Sequence, residues 1–270
     1  MNDAVSYSHH SVESYNSSFN YLKFGSGEKL LIALAGYANE ADLFLKIAPA
    51  LLEEFTVVAL DLPWHGQTEI KSDDFDKEDF IAVLRKIIDS FPEMTAVEFM
   101  GYSYGGRLSL GVLSEFNISR LWLIAADGLE ARRGYNFFPV AVRRLLSRLM
   151  RQPKWFLKIL NFLHKLRIVP KYTHRFMTHH LGNEENKNRL LGTWIFTADF
   201  VSNQKKTLLT LQKKQIPVLI IYGRQDKIIH PENGLKLKEN YPLAEVHFIE
   251  SGHKIFGKNL EIFLQNYLTK

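Results

Sequence analysis

Short continuous apolar runs recur along this chain with helix-patterned stretches between them, and that alternation limits the fold more than any other feature. Residues 30–35 (LLIALA), 56–60 (TVVAL) and 218–222 (VLIIY) have the character of strands buried on both faces, 97–100 and 118–125 are further apolar runs, and 246–249 is expected as the last strand. Between the early runs, Asn39 with Asp42 three positions on predicts a helix reaching about Glu54. Residues 79–90 carry Phe80, Val83, Leu84, Ile87 and Ile88 at helical spacing. A helix is expected from near Pro231, and another over 260–268. Strand–helix alternation implies parallel strands with helices on both faces. A further strand is expected at 17–24, ahead of a Gly25-Ser26-Gly27 turn. Those glycines do not open a dinucleotide-binding fingerprint, because the third glycine is missing and a strand follows.

One junction in this pattern carries chemistry. The run ending at Met100 meets Gly101-Tyr102-Ser103-Tyr104-Gly105, and a helix-compatible segment follows. A strand turning into a helix around one serine crowds the backbone, and residues without a Cβ on both sides relieve that crowding. Ser103 then stands at the tip of the turn with the helix N-terminus beneath it, where N–H groups can receive developing negative charge. Two more polar residues follow the ends of predicted strands, Asp226 after 218–222 and His253 after 246–249. That edge is where open α/β sheets place their sites.

Strand–G-x-S-x-G–helix, with the chain order Ser103, Asp226, His253, resembles the α/β-hydrolase superfamily over about two thirds of the chain, all but the N-terminal tail and a central insertion. The resemblance implies a mostly parallel sheet with helices on both faces and an inserted helical cap. It implies a triad in which Ser103 attacks, His253 acts as base and then acid, and Asp226 orients His253. The oxyanion would take N–H bonds from Tyr104, the residue after the nucleophile, and, by resemblance, from the backbone of Tyr37. At that loop this chain has Ala35-Gly36 where a His-Gly pair is usual. Asp127 also follows a strand and is the alternative acid. His65, in Asp-Leu-Pro-Trp-His-Gly, is expected to shape a loop. His9-His10 and His179-His180 lack supporting ligands at metal-binding spacing, so neither metal nor cofactor is expected.

The expected reaction is hydrolysis of a small-molecule ester or thioester with an apolar acyl part. Gly-Tyr-Ser-Tyr-Gly-Gly-Arg, preceded by Asp-Leu-Pro, is also somewhat similar to SHCHC synthase, the menaquinone-pathway lyase of this fold. A lyase or C–C bond hydrolase acting on an anionic substrate is therefore the runner-up. An inactive ligand-binding protein on the same fold is the alternative from another class. The chain has no cysteine, which excludes disulfides, thiolate zinc sites and thiol nucleophiles. The polar N-terminus lacks a signal-peptide apolar core, and no apolar run is long enough to span a membrane, so a cytoplasmic location is expected.

The alternation stops at about Leu129 and resumes at Pro217. The expected division is a core of 1–128 and 216–270 around a helical cap of 129–215. Residues 131–215 hold 18 Lys or Arg and 3 Asp or Glu, a net of +15 against −10 for the remainder. Lys154, Lys158 and Lys165, with Asn161 between, share one helix face. Trp155, Phe156, Ile159, Leu160, Phe162, Leu163 and Leu166 take most of the rest, and residues 139–150 mix apolar and Arg residues similarly. Such helices suit a lid over an acyl pocket whose field draws an anionic substrate, or a peripheral contact with an anionic membrane. They also suit plain packing with solvated charges. No motif points to nucleic acid.

Overall fold

Strand β1 (Tyr7–Ser14) pairs antiparallel with β2 (Ser17–Phe24), and β3 (Lys29–Leu34) leads into a 3-10 helix, Ala41–Ala50. Then come β4 (Phe55–Leu60), α1 (Lys77–Asp89), β5 (Ala96–Tyr102), α2 (Tyr104–Val112) and β6 (Arg120–Ile124). Helices α3 (Pro153–Lys165), α4 (Lys171–Leu181), α5 (Glu184–Phe196) and α6 (Gln204–Lys214) follow. The chain closes with β7 (Val218–Gly223), α7 (Glu232–Asn240), β8 (Ala244–Ile249) and α8 (Lys258–Leu268). This computed structural model describes residues 5–14, 17–72, 75–129, 142, 145, 148, 150, 153–200 and 203–269. Most of the 139–150 pattern and the Lys154 side chain lie outside the described residues.

The strands form one sheet in the order β1-β2-β4-β3-β5-β6-β7-β8, with β2 antiparallel to both β1 and β4 and all later neighbours parallel. Every central strand is buried on both faces, as continuous apolar runs require. Leu31, Ala33, Val57 and Ile221 pack against Phe44 and Ile47 of the 3-10 helix and Leu260 and Leu264 of α8. Leu30, Ile32 and Leu34 point the other way by the two-residue period and are equally buried, as are Phe80, Val83 and Leu84 of α1 and Leu108 of α2. Asp76 caps α1 reciprocally with Asp79, satisfying N–H groups that the first turn leaves without carbonyls.

Two elements differ from the sequence reading. The helix expected from Asn39 is a 3-10 helix, and its first N–H, from Ala41, donates to the Asp61 carboxylate after β4 at 2.8 Å. Pro49 inside it supplies no N–H. Strand β1 had no expectation attached to it. It is exposed on both faces along most of its length, so no alternation marks it.

The chain divides into two compact units, Met1–Ala131 with Phe200–Lys270, and Arg132–Asp199. Helix α6, which the sequence reading grouped with the insertion, falls in the first. The second contains α3, α4 and α5 around Met150, Leu181 and Leu191, with Phe156, Leu157 and Trp194 packed on them.

Candidate active site

Ser103 joins β5 to α2 with φ 49° and ψ −112°, a left-handed conformation that costs a non-glycine residue roughly 1–3 kcal/mol. The surrounding backbone holds it there. Its N–H donates to the Ile124 carbonyl at 3.0 Å, and its carbonyl accepts from Gly106 N–H at 3.0 Å and Asp127 N–H at 2.9 Å. The need for glycine beside it is steric: a Cβ on Gly105 would stand 2.0 Å from the Leu34 carbonyl oxygen, and one on Gly101 2.5 Å from Gly106 Cα.

Ser103, His253 and Asp226 are brought together. His253 Nε2 lies 3.0 Å from Ser103 Oγ, and its Nδ1 lies 2.8 Å from Asp226 Oδ2. The Asp226 side chain is 1% exposed and that of His253 18%. The second Asp226 oxygen, Oδ1, accepts N–H bonds from Ile228 at 2.8 Å and Ile229 at 3.0 Å. These N–H groups and the imidazole all donate to the charged form of the carboxylate. With Asp226 accepting from Nδ1, the imidazole presents a lone pair at Nε2 to the serine hydroxyl, the orientation needed to remove its proton.

Tyr102, which the sequence reading passed over, steadies the histidine. Its hydroxyl donates to the His253 carbonyl at 2.9 Å, and its ring lies 5.6 Å from the imidazole at 31°. Burial, with a smaller contribution from the Asp226 charge, pushes the Tyr102 hydroxyl up to about 12, so it remains a donor at neutral pH. The signal was in the motif itself: the residue before the nucleophile ends β5 and must face a neighbouring strand-end loop.

Asp127 is engaged elsewhere. Its carboxylate takes a two-pronged bond from Arg107 of α2, Nε to Oδ2 at 2.8 Å and Nη2 to Oδ1 at 3.1 Å. Arg107 Nη1 also donates to the Phe200 carbonyl at 3.2 Å. Arg107 is 2% exposed, so this is a buried ion pair that ties the elbow helix to the end of β6. No sequence pattern announced it.

Tyr104 is the first residue of α2, where N–H groups point out of the helix, and Tyr37 lies in the turn after β3 ahead of Ala38, whose φ is 60°. The buried His65 ring packs against both aromatic rings, 5.6 Å from Tyr37 and 6.5 Å from Tyr104, and His65 Nδ1 is 2.9 Å from the Pro63 carbonyl. His65 therefore links the two loops that carry the candidate oxyanion donors. His9 and His10 stand on β1, and His179 and His180 end α4 in the other unit. Burial, then the charges of His179 and Arg189, hold the His180 imidazole below its ordinary range.

A family model described as "alpha/beta hydrolase fold" matches residues 29–260. The chain is 24% identical over 246 residues to Lipase 1 of Psychrobacter immobilis, covering 90% of this chain and 76% of the relative. It is 24% identical over 257 residues to the uncharacterized hydrolase YugF of Bacillus subtilis, covering 89% of each. Among solved structures, the esterase EaEST from Exiguobacterium antarcticum superposes with a TM-score of 0.64 at 20% identity, covering 96% of this chain and 97% of that one.

Proposed function

Because the chain belongs to the α/β-hydrolase family, we propose that it is a serine hydrolase that cleaves an ester or thioester with an apolar acyl part. The observation that carries this reading is the unbroken chain from Ser103 Oγ through His253 to Asp226, with the serine held in a left-handed elbow. Ser103 Oγ attacks the carbonyl carbon while His253 Nε2 takes its proton, and the oxyanion is received by the N–H groups of Tyr104 and Tyr37. The carbonyl–oxygen or carbonyl–sulfur bond then breaks, and the leaving group takes the proton from Nε2. Water, activated by the same imidazole, attacks the acyl-enzyme and releases the acid and free Ser103. The apolar acyl part is supported by relatives described as a lipase and an esterase. No separate observation favours a lyase or C–C hydrolase.

A fluorophosphonate probe is expected to add once to the intact protein, with no adduct on Ser103→Ala, and p-nitrophenyl esters of increasing acyl length are expected to be turned over. Adduct formation that survives Ser103→Ala overturns the nucleophile. Labelling of Ser103 without turnover of any ester or thioester, but with turnover of a C–C substrate, moves the reading to the runner-up. Saturable ligand binding with neither labelling nor turnover makes the chain a binding protein.

A further inference from the structure

Helix α3 presents two apolar faces where a packed helix needs one. Phe156 and Leu157 pack inside the second unit, and Leu160 on the same side of the helix is buried. Trp155, Ile159 and Phe162, with Leu166 one residue past the helix end and its N–H still bonded to the Phe162 carbonyl at 3.1 Å, are spaced by four, three and four and fall within an arc of about 60° on the opposite side at 3.6 residues per turn. These four side chains are 39% to 61% exposed. Lys158 and Lys165, both exposed, run along one border of the stripe. The plain-packing expectation accounts for the first face and leaves the second uncovered.

We propose that this outer stripe of α3 docks the protein on an anionic lipid surface. The argument rests on charge. Glu184 and Glu185 are taken up by Lys187 and Arg189 on the same helix. Among the described residues, Lys158 and Lys165 form no ion pair, so this border of the stripe is cationic without acidic relief. A second copy of this chain would bring the same lysines together around the apolar contact, which charge opposes. A layer of anionic head groups above an apolar interior satisfies both parts at once. Trp155 and its neighbours enter the acyl boundary, and the lysine stems reach back to the phosphates. At 13 residues α3 is too short to span a bilayer, so it lies along the surface.

The test uses the full chain floated with phosphatidylcholine vesicles with and without phosphatidylglycerol. The parent is expected to float with the anionic vesicles, to release as salt rises, and to stay behind with the neutral ones. Each basic residue near such a surface supplies about a five-fold gain in partitioning, so Lys158→Glu/Lys165→Glu is expected to lower it at least ~25-fold. Phe162→Ser is expected to lower it about ten-fold or more with unchanged thermal stability, because the ring is exposed. Tryptophan emission is expected to shift to the blue on the anionic vesicles, and not in Trp155→Phe. Four results overturn the proposal: equal flotation with both vesicle types, flotation that survives both variants, and two that install another occupant. A lipid-free dimer that Phe162→Ser dissociates assigns the stripe to a second copy. Altered KM on soluble esters in Phe162→Ser, with flotation unchanged, assigns it to the substrate's acyl group.

Discussion

Asp226→Asn and Asp127→Asn make the same chemical change at two buried carboxylates that follow strands, and they are expected to damage different properties. At Asp226, Oδ1 is fixed by the N–H groups of Ile228 and Ile229. Asparagine must keep its oxygen there, since turning its amide over would set an NH2 group against two N–H donors. The NH2 group then occupies the Oδ2 position, 2.8 Å from His253 Nδ1. An imidazole facing a donor at Nδ1 carries its own proton on Nε2 and points it at Ser103, so it cannot accept the serine proton. The expected loss is about four orders of magnitude in kcat, or about 5.5 kcal/mol of barrier, with KM and stability little changed.

At Asp127 the substituted group faces Arg107 through both oxygens. Asp127→Asn leaves a guanidinium that is 2% exposed without its counter-charge. Breaking a buried pair from one side costs about 3–5 kcal/mol, which at this size lowers the melting temperature by roughly 6–20 °C. The folded fraction keeps His253 and Asp226 in place, so kcat per folded molecule is expected to remain within about ten-fold of the parent. Ester kinetics at saturating substrate, together with thermal unfolding of the same preparations, separate the two cases. If Asp127→Asn proves the catalytic lesion and Asp226→Asn the thermal one, the acid has been assigned to the wrong strand.

Tyr102→Phe removes the hydroxyl bond to the His253 carbonyl but keeps the ring against the imidazole, so kcat for a p-nitrophenyl ester is expected to fall about three- to ten-fold with KM unchanged; an unaltered kcat removes Tyr102 as a positioning residue. Burial raises the Glu98 carboxyl above its ordinary range, against the bond from Trp122 Nε1 and the charges of Arg120 and Lys29. The folded chain therefore holds that proton to higher pH than the unfolded chain, and stability falls as pH rises from the ordinary carboxylate range through the raised value. Glu98→Gln keeps an acceptor for Trp122 without the charge, so its melting temperature is expected to exceed the parent's at neutral pH and to converge with it in acid; a constant difference across pH refutes that account.

The parts that the sequence made legible are those where one local rule decides. Buried parallel strands announce themselves as unbroken apolar runs, and the elbow as glycines flanking a serine, because the backbone leaves few other solutions there. What stayed hidden depends on partners far along the chain. The Arg107–Asp127 pair joins a helix to a strand end, and neither residue sits in a pattern that requires the other. The N–H of Ala41 is taken by Asp61, twenty residues away, rather than by the nearby Asn39 that cap rules favoured. The outer face of α3 could not be told from its inner face either, since periodicity marks apolar positions without saying which stripe meets a partner.

The triad spans 150 residues of sequence and closes to 3.0 Å at Ser103 and His253, so its geometry depends on how the last strands are held level. Strand β7 is buried on both faces and has no inside–outside alternation to fix its register against β8. Backbone contacts between strand-end loops supply a constraint instead. Gln225 N–H donates to the Ser251 carbonyl at 2.9 Å and Arg224 N–H to the Ile249 carbonyl at 3.0 Å, lacing the Asp226 loop to the His253 loop. That lacing needs Gly223, where a Cβ would stand 2.5 Å from the carbonyl oxygens of both Ser251 and Gly252. Gly257, four residues past His253, is the contrasting case. A Cβ there meets nothing within 4 Å, and its φ of 167° is extended backbone open to any residue. Gly223→Ala must part the two loops by a fraction of an ångström to one ångström, although the residue meets the triad only through its carbonyl, which accepts the Asp226 N–H at 3.1 Å. A misplacement of that size costs up to about 100-fold in rate. The rate of Ser103 labelling by a fluorophosphonate is therefore expected to drop by about ten- to 100-fold in Gly223→Ala and to stay at the parent's value in Gly257→Ala. Equal rates in the two variants would mean that the triad is held by the side-chain bonds of Asp226 and His253 alone, and that the loop lacing has no part in setting it.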